Sequence, residues 1–180
     1  MFGQGINFGL LAAGASPVTM DWLVIAGGGS GSGGYADGYG GIGGAGAGAG
    51  GFRSSYSNSG GGAGAETDIT NFLGTITVTI GAGATAPGST GFYATGNDGN
   101  DTSLAGTNIT TITSLKGGRG GSRLGGPGNG GNGTYGSGGA YATDSAGSNT
   151  FGAGTTGQGY ASGNTGGSAV TRSSAGGGGA

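Results

Sequence analysis

The sequence GAGAGAG at residues 44–50 decides which kind of fold is open to this chain. A strict alternation of glycine would suit a silk-like sheet with one glycine face. The glycine runs at 27–29, 60–62 and 176–179 break the two-residue period, however. We therefore predict packed polyproline-II-like glycine helices, with three residues per turn, whose N–H groups donate to carbonyl oxygens of neighbouring helices. Only glycine permits that packing on several sides, because a Cβ would hold the backbones apart.

The composition is consistent with an unusual fold of this kind. The 180 residues include 56 glycines but only 3 prolines, and no Gly-X-Y register is sustained, which excludes collagen. Large apolar side chains are too few for a conventional globular core of this length. Disordered chains that lack apolar residues usually carry a high net charge, whereas the formal net charge here is −2. Either the backbone is satisfied in a glycine-specific lattice, or the chain is a flexible low-complexity segment.

Glycine density divides the chain into parts. Residues 1–20 form a mildly apolar segment without positive charge, so we interpret it as an attachment segment rather than a signal peptide. Residues 21–180 form one glycine-rich domain. Within it, the glycine tracts 27–64 and 117–180 flank a middle region, 65–116, that holds fewer glycines.

Short strands are predicted where the tracts meet the middle region. Residues 21–26 (DWLVIA) form a β-branched apolar run that ends at glycine, which indicates a buried strand. In TITVTI at 75–80 the isoleucines and the valine fall on one side and the threonines on the other, which predicts a strand with one buried face. A weaker strand is expected within 108–115. We therefore expect a mostly irregular chain with few short β-strands, which anchor the glycine helices, and essentially no α-helix.

Several kinds of chemistry are excluded by the residues that the chain lacks. It has no histidine and no cysteine, so disulfides, zinc sites and catalysis through histidine or cysteine are ruled out. Its 5 basic residues form no basic patch, which argues against nucleic acid as a partner. No apolar run is long enough for membrane insertion. We expect no enzyme activity, no cofactor and no metal site.

Two motifs have a plainer explanation than the one they suggest. GSGSGG at 29–34 fits the dinucleotide-binding pattern, but no helix can follow and Asp37 lies too close to be the acid that such a site needs. GNDGNDTSL at 96–104 resembles one calcium-binding nonapeptide. A single copy is not a site, and we interpret the stretch as a turn.

The order of these elements resembles a known family. WLVIAGGG at 22–29 opens the first tract, TITVTIGAG at 75–83 and GNDGNDTSL at 96–104 follow, and a second tract ends the chain. This pattern is similar to the glycine-rich domains at the ends of phage tail-fibre proteins, and to the tip adhesins of T-even-like phages. The resemblance implies a structural protein at the exterior of a bacteriophage virion, in which loops between stacked glycine helices contact the host.

The resemblance also implies partners. We expect residues 1–20 to contact other tail or fibre proteins, and the domain to contact a host glycan or an outer-membrane protein. A homotrimer is left open. The alternative is a purely architectural virion component, such as a capsid decoration or baseplate protein, without receptor binding.

Candidate receptor contacts are the aromatic and charged residues that interrupt the glycine tracts, because rigidly held tyrosines bind at low entropic cost. They are Tyr35, Asp37, Tyr39, Arg53, Tyr56, Tyr135, Tyr141, Asp144 and Tyr160. The competing interpretation is that these rings pack over the glycine lattice or lie singly on the surface.

Overall fold

The computed structural model describes residues 18–37, 40–72, 74–88, 94–122, 134–140, 142–143, 152–163 and 173–180. These residues form short antiparallel strands and no helix. The strands are β1 (Leu23–Ile25), β2 (Tyr35–Asp37), β3 (Gly40–Ile42), β4 (Phe52–Ser54), β5 (Ile76–Thr79), β6 (Thr102–Gly106), β7 (Ile109–Ser114), β8 (Ala142–Thr143) and β9 (Ser173–Ser174). They pair as β1-β4, β2-β3, β5-β6-β7 and β8-β9. The prediction of a mostly irregular chain with few short strands is confirmed.

A small hydrophobic core lies where β1 packs across β6 and β7. Its buried residues are Trp22, Val24, Ile69 and Leu104. Strand β1 has only one face in this core, since Val24 is buried while Leu23 and Ile25 are more than half exposed. The predicted buried strand is therefore buried on one face only. The reason is that, among the described strands, β6 and β7 cover only one side of the β1-β4 ribbon.

The apolar face of β5 is also less buried than its alternating sequence predicts. Ile76 packs against the core, but Val78 is 57% exposed and Ile80 is 81% exposed. The assigned facing is correct, because Val78 pairs with the core residue Leu104. Val78 and Ile80 are not buried because β5 is the edge strand of its sheet and β1 lies over β6 and β7 instead.

The chain from β1 to β4 is one long antiparallel ribbon with a constant register. The ladder pairs Ile25 with Phe52 at one end, and β2 pairs Tyr35 with Ile42 at the other. Between the two ladders the direct bonds recur at every third residue, from Ala26 N to Gly51 O, Gly29 N to Gly48 O, and Ser32 N to Ala45 O, at 2.9–3.0 Å. The same pairing offset therefore holds in the β1-β4 ladder, in the three bonds between the ladders, and in the β2-β3 ladder.

The remaining N–H and C=O groups of the ribbon bond to other segments. The N–H groups of Gly27, Ser30 and Gly33 donate to segment 94–100, again at every third residue. The carbonyls of Gly27 and Ser30 accept from Gly117 and Gly120. Segment 26–34 thus has neighbours on several sides, which a strand in a flat sheet cannot have. We call this array of segments 26–34, 44–51, 81–84, 94–101, 115–122, 134–140, 152–163 and 175–180 the glycine lattice.

The stretch 44–50 belongs to this lattice and not to a silk-like sheet. Its N–H groups donate to two further lattice segments, since Gly48 donates to Gly118 and Ala49 donates to Gly178. Its carbonyls accept from Gly29 and, at Gly46, from Ala140.

Residues 96–101 belong to a lattice segment and 102–104 to β6, so the interpretation of 96–104 as a turn is wrong. Residues 94–100 run antiparallel to 26–34 and lead directly into β6. The aspartate side chains of this segment accept hydrogen bonds from the neighbouring segment 115–122: Asp98 accepts from the N–H of Arg119, and Asp101 accepts from the N–H of Lys116.

The lattice has two different ends. The core end carries β1, β4 and the β5-β6-β7 sheet. Segments 26–34 and 115–122 both run away from it in parallel, as the bonds from Gly117 and Gly120 to Gly27 and Ser30 show. Strands β2 and β3 therefore lie at the opposite end, which we call the distal end. Strand β8 follows a segment that runs parallel to 115–122, so it lies there too.

Close backbone contact gives the first testable prediction. A Cβ at Gly117 would lie 2.7 Å from the backbone nitrogen of Gly50 and 2.8 Å from that of Gly29, whereas one at Gly83 would meet only ordinary contact at 3.8 Å. We expect Gly117→Ala to destabilise the fold by about 1–3 kcal/mol or more, as overpacking of a rigid interior does. Gly83→Ala should stay within about 0.5 kcal/mol of the parent. Thermal melting followed by circular dichroism measures both, and equal melting temperatures would mean that the segments are not packed.

The exposure of β5 gives the second prediction. Val78→Asp should be tolerated, because the carboxylate reaches water at the sheet edge. Leu104→Asp, on the neighbouring strand and only 8% exposed, should prevent folding, since an unpaired buried charge costs several kcal/mol. Yield of soluble protein and cooperative melting distinguish the two. If Val78→Asp fails to fold, Val78 is buried as the sequence predicts, and the exposure described here is wrong.

Candidate interaction surface

The loop that follows β4, residues 55–64, carries the most exposed aromatic side chain of the described residues. Tyr56 is 82% exposed. We call this segment the tyrosine loop. It lies at the core end of the lattice, directly after Ser54 of β4.

Buried serines hold the tyrosine loop in place. The Ser55 hydroxyl accepts from the N–H of Trp22 at 2.9 Å, and the N–H of Ser55 donates to the carbonyl of Trp22 at 3.0 Å. The Ser59 hydroxyl accepts from the N–H of Ser54 at 3.0 Å, and Ser57 donates to the hydroxyl of Ser54 at 3.2 Å. These bonds fix the backbone on both sides of Tyr56. An exposed ring on a fixed loop binds without a large ordering cost.

Arg53 anchors the base of the loop. Its guanidinium pairs with both carboxylate oxygens of Glu66, donates to the carbonyl of Thr113 at 2.9 Å, and lies 5.8 Å from the centre of the Trp22 ring. The Glu66 carboxylate also accepts from the Ser59 hydroxyl at 3.3 Å. The hydrogen bond from Arg53 lowers the pKa of Glu66 below its ordinary 4.5, against the opposing effect of partial burial.

A shallow groove of about 260 Å³ runs beside Tyr56. Leu23, Phe52 and Asp21 line it, together with Ser54 of β4 and Ser57 of the loop. The exposed Leu23 and Tyr56 give it an apolar floor and rim, and Asp21 gives it one carboxylate. Desolvation, and then the neighbouring Asp68, raise the pKa of Asp21. The groove therefore offers aromatic and aliphatic contact beside hydroxyl groups and one acid.

A second loop adjoins the tyrosine loop. The turn at Thr155–Gln158 is closed by bonds from Gln158 and Gly159 to the carbonyl of Thr155. The carbonyl of Gln158 accepts from Phe52 at 2.9 Å, and the Gln158 side chain accepts from Leu115 at 2.8 Å. Tyr160, 54% exposed, follows this turn, and its hydroxyl lies against Gly62 of the tyrosine loop. The core end thus presents two exposed tyrosines.

Tyr135 is held inside the lattice. It is 6% exposed, and its hydroxyl donates to Asp98 at 3.2 Å. The ammonium of Lys116 lies 5.8 Å from the ring centre and 3.6 Å from the Asp98 carboxylate. Burial, and then the charge of Asp98, raise the pKa of Tyr135, so the phenol stays protonated and donates.

The nine residues predicted as receptor contacts are therefore divided. Tyr56 and Tyr160 are exposed at the core end, whereas the polar groups of Arg53 and Tyr135 are engaged within the protein. Tyr35 and Asp37 lie on β2 at the distal end, where the backbone alone is described. The others, Tyr39, Tyr141 and Asp144, lie outside the described residues.

Sequence reasoning missed the serines that hold the tyrosine loop and the exposed Leu23. The signal for Leu23 is its position between Trp22 and Val24, because alternate residues of a strand face opposite sides. The serines gave no signal of their own in a chain this rich in serine and glycine. Within the described residues no cluster of three or more acidic side chains is placed to hold a metal ion, and no helix is able to cross a membrane.

Comparison of the chain with protein-family models, with curated proteins and with solved structures finds no match.

The Arg53–Glu66 pair gives the third prediction. The folded pKa of Glu66 lies below its ordinary value, so the pair stabilises the fold above pH 4.5, and this contribution is lost as the pH falls through the folded pKa. Glu66→Gln should therefore flatten the acid side of the stability profile. Asp21→Asn should instead make the stability fall more steeply towards acid pH. The reason is that the folded pKa of Asp21 is raised, so that the ionised form disfavours folding and protonation favours it. Urea unfolding from neutral to acid pH tests both, and parallel profiles for all three proteins would contradict the assignment.

Proposed function

We propose that this chain is a structural module of a bacteriophage virion, of the tail-fibre or adhesin type, that contacts the host cell surface. In this proposal the glycine lattice consists of polyproline-II-like helices. Hydrogen bonds at every third residue support that conformation, because a polyproline-II helix has three residues per turn and presents the same side to a neighbour once per turn. The lattice supplies rigidity without a large hydrophobic core.

One observation carries the proposal: the lattice has two different ends, and the chain enters it at one of them. The chain enters the described fold at the core end, where Met20 pairs with Ile69. The β2-β3 ribbon lies at the opposite end. If residues 1–20 attach the module to other virion proteins, the distal end is the one directed away from the attachment. Tyr35 and Asp37 are then the better candidates for host contact.

The same difference between the two ends assigns the tyrosine loop a role other than host contact. Tyr56 and its groove lie at the core end, and the groove is lined by Asp21, the residue that directly follows the attachment segment. A groove with an aromatic rim and an aliphatic floor suits a contact with another virion protein, since aromatic side chains dominate the energetics of protein interfaces. We therefore assign Tyr56 to assembly and the distal β2-β3 ribbon to the host.

The fourth prediction separates the two ends. The double variant Tyr35→Ala with Asp37→Ala should still be incorporated into virions, but the purified protein should lose binding to susceptible cells. Tyr56→Ala should bind cells like the parent and be incorporated poorly. Thr110→Ala, exposed and outside both regions, is the control. The melting of every variant is compared with that of the parent, and Tyr56→Ala and Thr110→Ala should melt like it because both side chains are exposed.

Flow cytometry of labelled protein on cells and mass spectrometry of purified virions are the measurements. The reverse pattern would exchange the roles of the two ends. Parent protein that folds and is incorporated but binds no host surface would decide for the architectural alternative, such as a capsid decoration or baseplate component.

A further inference from the structure

The outer edge of β5 is left unpaired by the residues that the structure describes. On one side β5 pairs with β6 from Ile76 to Thr79. On the other side, no described residue pairs with it. Natural edge strands usually carry a charge, a proline or a bulge that prevents further pairing. Residues 75–80 (TITVTI) contain none of these, and the irregularity in this sheet lies on the far side, between β6 and β7.

The sequence of this edge is a palindrome. Residues 76–80 read ITVTI in both directions, with Val78 at the centre. If two copies of the strand pair antiparallel about a two-fold axis at Val78, each isoleucine faces an isoleucine, each threonine faces a threonine, and Val78 faces Val78. Cross-strand pairs of β-branched residues stabilise a sheet, and no like charges oppose one another.

The exposed apolar side chains fit the same arrangement. Val78 lies opposite Leu104, which lies opposite Ile112, so the three form a row across the core face of the sheet. This row ends at Val78, which is 57% exposed, and beside it Ile80 is 81% exposed. A second copy would continue the row through its own Val78 and would cover the flank of both side chains.

We propose that two copies of this chain associate through β5, in antiparallel register about Val78, to form a continuous sheet in the order β7-β6-β5-β5-β6-β7. The interface is isologous, so it uses the free edge of both copies and stops at a dimer. The contact is short, which places it among the weak and reversible interfaces.

A charge-swap experiment tests the axis. Val78→Lys and Val78→Glu each place like charges opposite one another at the axis, so each variant alone should be monomeric. Mixed in equal amounts they should form a heterodimer, because the opposite charges then face one another. Light scattering over a wide concentration range should give twice the 16.4 kDa chain mass for the parent at high concentration and for the mixture. Both variants are expected to fold, since Val78 is largely exposed.

Single cysteines test the register, and they serve even if the charged variants fail to fold. The chain has no cysteine, so every cross-link reports the introduced residue. Val78→Cys should form a disulfide-linked dimer under mild oxidation, because opposed Cβ atoms of paired strands lie about 4.5–5.5 Å apart. Thr77→Cys should not, because in this register Thr77 faces Thr79 and lies about 7 Å or more from its own copy.

Each other outcome overturns the proposal. A parent that is monomeric at every concentration shows that β5 does not pair with itself. If the β5 amides that face away from β6 are nonetheless protected from hydrogen exchange, another segment of the same chain covers the edge. A trimer, or a dimer that survives Val78→Lys, places the interface elsewhere. Equal cross-linking of Val78→Cys and Thr77→Cys contradicts the register.

Discussion

The structure depends on the approach of backbone to backbone at distances that a Cβ would prevent. At Gly29 an added Cβ would lie 2.5 Å from the carbonyl oxygen of Gly118, and at Gly46 it would lie 2.6 Å from the backbone nitrogen of Gly177. In each case the obstructing atom belongs to backbone, which cannot rotate aside as a side chain can. Interior hydrogen bonds between main-chain groups therefore replace the packing of large side chains as the source of order.

The structure also depends on strand register, since the strands and the glycine segments are parts of the same ribbons. The pairing of β5 with β6 continues beyond Thr79, where Asn100 donates to the carbonyl of Ala82 in the same register. The β6-β7 pairing likewise continues into the bond from Gly99 to Gly117. The small core around Trp22 thus sets the alignment of segments that contain almost no apolar side chain, which offsets part of the high entropic cost of ordering glycine.

The sequence predicts the class of this fold because a glycine-rich chain with little charge and a small core has few ordered options. Three features escaped prediction for physical reasons. The burial of Val78 depends on which strand ends at a sheet edge, and the alternation of 75–80 carries no information about that. The role of 96–101 was missed because Asp and Asn also favour turns. The split of the predicted contacts between two ends depends on the direction of the ribbons, which composition does not encode.

The glycine lattice leaves little room for large side chains, and several of the polar side chains within it bond to main-chain groups. Ser137, fully buried, accepts from the N–H of Gly50 at 2.9 Å and donates to the carbonyl of Gly50 at 3.2 Å; Gly50 has a positive φ and lies two residues before β4. Thr102 accepts from Gly81 where β6 meets the lattice. Such hydroxyls satisfy main-chain groups close to the points where strands meet the lattice. Side chains that the lattice excludes are left for its ends, which is why both proposed contact regions lie there.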